Sequence, residues 1–224
     1  MSSNQSSLTE REQARFNMIE QQIRTWEVLD PVVLNLLHQV PREEFVPVPY
    51  RGLAFADLEI PLGSGEYMLS PKLEARMLQA LEIKKTDSVL EIGTGSGYMT
   101  ALLAKLAKEV YSVERSADLS ALAAQRLVAH GISNIILEVG DGAHGWGNDQ
   151  FDVIVLTGSL PVLPAHFEQQ LKPGGRLLAV VGAAPVMEAV LVTCISPGVY
   201  SRTVLFETSI PPLVNAVQPK HFLF

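Results

Sequence analysis

The chain has 224 residues, 47% of them apolar, and a formal net charge of −7. That length and composition suit one domain with a sizeable core, and the acidic balance leans away from nucleic acid as the main partner. A lone cysteine, Cys194, excludes an internal disulfide, fits a reducing cytoplasm and, inside an apolar run, reads as a small core residue. The polar N-terminus lacks a signal-peptide h-region, and no run of 18 apolar residues offers a membrane span.

The first seven residues read as disordered. Residues 8–25 read as a helix, with Thr9 and Glu12 at capping-box spacing and Phe16, Ile19 and Ile23 on one face. Asp30-Pro31 opens a second helix that runs to about Gln39. A proline-punctuated connection and an irregular stretch, 51–71, follow, with Pro61, Gly63 and Gly65 as breakers. Pro71 starts a third helix, to Leu81. From Ser88 the pattern alternates: strands at 88–92, 109–114, 135–139 and 151–156, with helices at 98–106, 117–130 and 164–171. Further strands read at 176–181, 189–195 and 203–208. Strand alternating with helix predicts an α/β fold built on a doubly wound, mostly parallel sheet, preceded by N-terminal helices.

The informative stretch is "VLEIGTGSGYMTALL", 89–103. Gly93, Gly95 and Gly97 let the chain turn tightly and bring backbone N–H groups close to a ligand at the start of the next helix. Tyr98 stands where a dinucleotide fingerprint needs a small residue, and no Gly-Lys-Ser/Thr follows, so NAD and ATP both lose ground. An acid at the strand end, Glu91, instead fits the E/D-x-G-x-G-x-G pattern of methyltransferases that use S-adenosylmethionine (SAM). Glu114 ends the next strand, where an acid accepts hydrogen bonds from ribose hydroxyls. Asp141, followed by Gly142, comes after the third strand, where such enzymes touch the adenine amine. Glu91, Gly93, Thr94, Gly95, Gly97, Glu114, Asp141 and Gly142 are therefore the candidate SAM-binding residues. His144 and Trp146 lie in a Gly-rich loop beside them, with a solvated loop histidine as the bland alternative. No pair of histidines has zinc-like spacing, and no metal is expected.

Several stretches together resemble the protein-L-isoaspartate O-methyltransferase family. These are "MIEQQIRTWEVLDPVVLNLLHQVPREEFVP", "LAFADLEIPLGSG", "VLEIGTGSGY", "VGDGAHGW" and "QLKPGGRLLAVVG", in that order across residues 14–182. The resemblance implies a Rossmann-like SAM-dependent methyltransferase fold, with SAM as cofactor. It implies one methyltransferase domain over 1–224: a helical and substrate-loop region (1–82), a SAM-binding core (83–182), and C-terminal strands with an extended tail (183–224). It also implies protein repair. Family members methylate the α-carboxyl of an L-isoaspartyl residue, and the ester collapses to a succinimide that reopens partly to aspartate. Damaged isoaspartyl proteins or peptides are then the partners, in the cytoplasm, without nucleic acid or membrane. A monomer and a homodimer both remain open.

Two departures stand against that pattern. The family's substrate loop carries a serine two places before a proline, and counting back from Pro71 puts Leu69 there, with Tyr67 in place of the usual threonine. Ser70, one place late and biased to be extended before proline, is the candidate for the reactive region. The C-terminus reads "ETSIPPLVNAVQPKHFLF" where the family usually has a "VRFVPL"-like piece, and Pro211-Pro212 suggests a tail lying extended over the surface. The alternatives to isoaspartyl transfer are another acceptor, or a SAM-binding protein without turnover.

Overall fold

The structure, a computed structural model, describes residues 2–219, with side chains from Glu10 onward. It divides into two compact units, Met1–Gln79 and Ala80–Phe224.

In the first unit a helical run opens the chain. Helix α1 (Ser2–Met18) passes through a π-turn (Ile19–Ile23) and a 3-10 turn (Arg24–Trp26), and the run stops at Glu27 in a left-handed conformation (φ 61°). Helix therefore replaces both the disordered lead and the cap at Thr9, because no glycine or proline interrupts residues 2–26. Met18, Ile19 and Ile23 are buried, whereas Phe16 faces out; the π-turn adds a residue and rotates the face. Helix α2 (Pro31–Gln39) has Asp30 as its N-cap, the carboxylate accepting from Val32 N at 2.8 Å. The reversal between these helices is held by two side chains of α4 (Pro71–Leu81). Arg76 donates to the carbonyls of Trp26 and Glu27, and Gln79 Oε1 accepts from Leu29 N and Asp30 N.

The connection from 40 to 70 holds more order than its breakers suggest. A short helix α3 (Arg42–Phe45) and a 3-10 turn (Val48–Leu53) precede a hairpin of β1 (Ile60–Gly63) and β2 (Glu66–Met68). The glycines read as breakers are its turn: Gly63, Ser64 and Gly65 all have positive φ.

The second unit is built on a seven-stranded sheet. Its elements are β3 (Ser88–Ile92), α5 (Tyr98–Leu106), β4 (Glu109–Glu114), α6 (Ala117–Ala129), β5 (Ile135–Val139) and β6 (Phe151–Leu160). They continue through α7 (Ala165–Gln169), β7 (Leu171–Ala183), β8 (Val186–Ser196) and β9 (Val199–Thr208). Strand order is β5-β4-β3-β6-β7-β8-β9, parallel from β5 to β7, with β8 and β9 antiparallel. The order reverses at β3, whose neighbours are β4 on one side and β6 on the other. Such a switch point leaves a crevice beyond the carboxyl ends of the strands, where ligands of open α/β sheets bind. Every residue of β3 is buried, as expected of a central parallel strand. Cys194 is fully buried and free.

Strands β6 to β9 all run longer than their hydrophobic cores suggest. Beyond them the tail runs over the surface, with Pro212, Val214 and Asn215 exposed, but it is pinned at two points. Ile210 and Ala216 are buried, and Pro212 bridges Ser159 at the end of β6. The two prolines are tolerated because that bridge asks neither for an N–H: Ser159 N donates to Pro211 O, and Leu213 N donates to Ser159 O, each at 2.9 Å. The last four residues, "HFLF", expected to pack in a groove, lie outside the described residues. No described helix is long and apolar enough to cross a membrane.

Candidate functional site

The switch point brings the predicted glycine turn and acids together at one mouth. The turn leaves β3 at Gly93 and reaches α5 at its N-cap, Gly97, with φ of 98°, 54° and 84° at Gly93, Gly95 and Gly97. The left-handed values favour glycine, and space requires it at the first position: a Cβ on Gly93 would lie 2.3 Å from Thr157 Oγ1. Thr157, on β6, donates to Gly93 O at 2.6 Å and lies 3.0 Å from Ile92 O. This gives a first expected outcome. Gly93→Ala combines a clash with a strained φ, so denaturant titration should show a loss of roughly 2–4 kcal/mol. Adding Thr157→Ala should recover part of it by removing the clash.

Glu114, at the end of β4, anchors the middle of the turn. Its Oε2 accepts from Gly95 N and its Oε1 from Ser116 N, both at 2.9 Å. The carboxylate is thereby fixed between the turn and the next loop, with a second lone pair on each oxygen available to a diol.

Glu91 is placed differently from a ligand-facing acid. It is fully buried, and its Oε2 accepts from Thr100 Oγ1 and Ser112 Oγ, both at 2.5 Å. Ser112 spends its proton on Glu91, so Thr94 Oγ1 donates to Ser112 Oγ at 2.6 Å. A chain of hydroxyls thus ties β3, the glycine turn, α5 and β4 to one carboxylate.

Asp141 and Gly142 follow β5. Gly142 packs against Ile92: an added Cβ would meet Ile92 Cδ1 at 2.8 Å, which draws this loop over the end of β3. Asp141 Oδ1 accepts from Ala143 N at 3.1 Å, and Oδ2 from Asn215 Nδ2 at 2.7 Å. The Asn215 hydrogen bond first, then that of Ala143, holds its carboxyl below the usual carboxylate range. His144 is exposed, while Trp146 lies over Gly140 and donates to Glu138.

In the first unit, the segment at 67–70 is held from below. Arg42 is fully buried. It donates through Nε to Ala54 O at 3.0 Å, through Nη2 to Leu69 O, and forms an ion pair with buried Glu74. Burial pushes the Glu74 carboxyl up to about 7, against the lowering by Arg42. The Leu69 side chain is buried, Tyr67 is exposed, and Ser70 is half-buried at the N-cap of α4, its carbonyl accepting from Glu74 N.

Sequence reading missed Thr157, Ser112, Thr100, Arg42 and Asn215. Each acts across at least nine residues of chain, and only Thr157, just past an apolar strand run, carried a local hint.

The cradle fits a nucleoside that carries a ribose diol and an amino-acid end. It offers close backbone at glycines, an anchored carboxylate at β4, and a second carboxylate after β5. Comparisons with known proteins agree. The sequence profile described as "Protein-L-isoaspartate(D-aspartate) O-methyltransferase" matches residues 13–213. The profile runs past the likeness read over 14–182, through the C-terminal strands to residue 213. A protein-L-isoaspartate O-methyltransferase of Koribacter versatilis is 40% identical over 202 residues, covering 90% of each chain. The second such protein of Pelobacter propionicus is 42% identical over 183 residues, covering 81% of each. A solved protein-L-isoaspartate O-methyltransferase superposes with a TM-score of 0.73 at 27% identity, over 90% of this chain and 65% of that one. For the fold alone, a Plasmodium falciparum candidate enzyme solved with S-adenosyl-L-homocysteine gives 0.73 at 19% identity, over 88% and 96%.

Proposed function

The chain belongs to the protein-L-isoaspartate(D-aspartate) O-methyltransferase family, and from that premise we propose that it transfers the methyl group of SAM to the α-carboxyl of L-isoaspartyl residues in damaged proteins and peptides. It is a SAM-dependent O-methyltransferase. The observation that carries the acceptor is the span of the family match, 13–213, which takes in the substrate-loop unit as well as the cofactor core.

In this reading the whole chain works as one methyltransferase, with the cofactor held in the second unit and acceptor recognition in the first. Glu114 holds the ribose hydroxyls, Asp141 accepts from the adenine amine, and Gly93, Thr94, Gly95, Gly97 and Gly142 let the backbone close on the ligand. Glu91 acts through the hydroxyls it holds, fixing the turn that meets the amino-acid end. Bound SAM supplies a methyl group on a sulfonium, a good leaving group. The acceptor carboxylate is already ionised at neutral pH, so the protein needs no strong base. Its task is to align the carboxylate and to exclude water. Arg42 fixes the backbone at position 69, and Ser70 is the hydroxyl nearest in sequence to the family's serine position.

One observation favours a second reading: Leu69 offers no hydroxyl, and Tyr67 beside it is exposed. An altered acceptor, or SAM binding without turnover, would follow. Chromatographic separation of an isoaspartyl peptide from its aspartyl isomer distinguishes these. With SAM present, the wild type should convert part of the first into the second. Leu69→Ser, which restores one hydrogen bond to a charged group, should raise kcat/KM about ten- to a hundredfold. Conversion by neither, with SAM binding verified, would leave the second reading.

A further inference from the structure

We infer that residues 210–216 form a strap that completes the wall of the cofactor site, and that Asn215 is a positioning residue for SAM, acting through Asp141. The inference rests on the reading of Asp141 as a cofactor residue.

The strap is anchored at both flanks of the glycine turn. On one flank it joins β6 at Gly158 and Ser159. Ser159 Oγ donates to Ile210 O at 2.9 Å, and the backbone of Ser159 bonds to Pro211 and Leu213. Leu213 seats on Gly158 so closely that an added Cβ would meet Leu213 Cδ2 at 2.7 Å. This is the strand segment whose Thr157 grips Gly93 O. On the other flank Asn215 donates to Asp141, next to the Gly142 that packs on Ile92. A ring of contacts therefore closes around the end of β3: the turn, β6, the strap, the loop after β5, and back to Ile92.

The reach and the residue type both suit the task. Two residues of extended chain span at most about 7 Å, so the Ser159–Leu213 anchor leaves Asn215 little freedom. Ala216, buried beside Leu213 in the core cluster, pins the far side. Asn215 itself adopts φ 65°, a conformation that asparagine tolerates better than most residues. With one carboxylate oxygen bonded to Ala143 N and the other to Asn215 Nδ2, the Asp141 group cannot rotate. Its remaining lone pairs then present a fixed acceptor edge to an amine.

Calorimetric titration of the full chain with S-adenosylhomocysteine at pH 7.5 tests this. Asn215→Gly keeps the backbone conformation and removes the amide. Its Kd should rise about five- to tenfold, the worth of one ordinary hydrogen bond, since Asp141 is exposed and the amide acts on the ligand only through it, with the kinetic effect on KM for SAM rather than on kcat. In the Asp141→Asn background the same change should add nothing. Asn215→Asp places two carboxylates together, so binding should weaken at pH 7.5 and recover towards pH 5, as one shared proton restores the bond. His144 and Arg115 also face Asp141, so the profile is read against wild type over the same pH range, and a merely structural role would move the unfolding midpoint with pH without moving Kd under folded conditions. A Kd within twofold of wild type for Asn215→Gly, while Asp141→Asn weakens binding, would overturn the role of Asn215 alone. Tighter binding by Asn215→Gly would make the strap an obstruction and overturn it as well. Unchanged binding by Asp141→Asn would remove Asp141 from the cofactor site and the proposal with it, leaving the methyltransferase reading to the transfer assay.

Discussion

Replacing Glu114 by alanine should weaken S-adenosylhomocysteine binding by at least about a hundredfold, near 3 kcal/mol. Two losses add. The turn loses the acceptor of Gly95 N, and the following loop that of Ser116 N, both at 2.9 Å. Hydrogen bonds to a charged group contribute about 1.5–3 kcal/mol each, and here they shape the site before ligand arrives. In the proposed site the ribose loses its own acceptor as well. Glutamine is the sharper variant. It keeps the shape, but only one of its two polar atoms can accept, so one backbone N–H would face an amide NH₂. Glu114→Gln should therefore bind nearly as poorly as Glu114→Ala while unfolding closer to wild type. Calorimetry for affinity and thermal unfolding for stability separate the two effects. Wild-type affinity in Glu114→Gln would remove this carboxylate from the ribose site.

Arg42→Met should be the most destabilising single change in the first unit, by about 3–5 kcal/mol. Methionine fills much of the volume but leaves Glu74 buried without its partner and takes donors from Ala54 O and Leu69 O. If position 69 lies in the proposed substrate loop, loss of its anchor should also raise KM for an isoaspartyl peptide more than KM for SAM. The pH dependence has a definite sign. Glu74 has a folded pKa raised to about 7, above its ordinary 4.5. Its contribution to stability is thus fully present below 4.5 and is lost as pH rises through 7. In Arg42→Met the lowering by Arg42 is gone, so that loss should shift to higher pH. Urea titrations of wild type and variant from pH 5 to pH 8 read both the size and the shift.

Much of the cofactor half was legible because its signals are local. The glycine turn, and acids at the ends of β3, β4 and β5, follow from alternation of strand and helix along consecutive chain. The first unit was less legible. Pro61, Gly63 and Gly65 look like breakers, yet Gly63 and Gly65 make a hairpin turn, and Pro61 sits in β1 of a two-stranded ribbon, where a strand has a free edge and proline is tolerated. Arg42 looks like a solvated charge among prolines. Its burial depends on Glu74, 32 positions away, and on two carbonyls that no pattern announces. The course of the tail over the surface was legible, but its anchoring was not. Pro211-Pro212 cannot donate, but Ser159 uses the carbonyl of one and the N–H that follows the other, so the prolines are held to β6 while lying at the surface. The π-turn at Ile19–Ile23 had no sequence mark at all.

The central claim is transfer to an isoaspartyl carboxylate despite the leucine at position 69. Incubation of the purified chain with methyl-labelled SAM and an isoaspartyl peptide, beside its aspartyl isomer, measures that transfer as base-labile methyl ester. Label in the isoaspartyl peptide, and little in the aspartyl one, is the predicted result. No label in either peptide, with SAM binding verified by calorimetry, would contradict it.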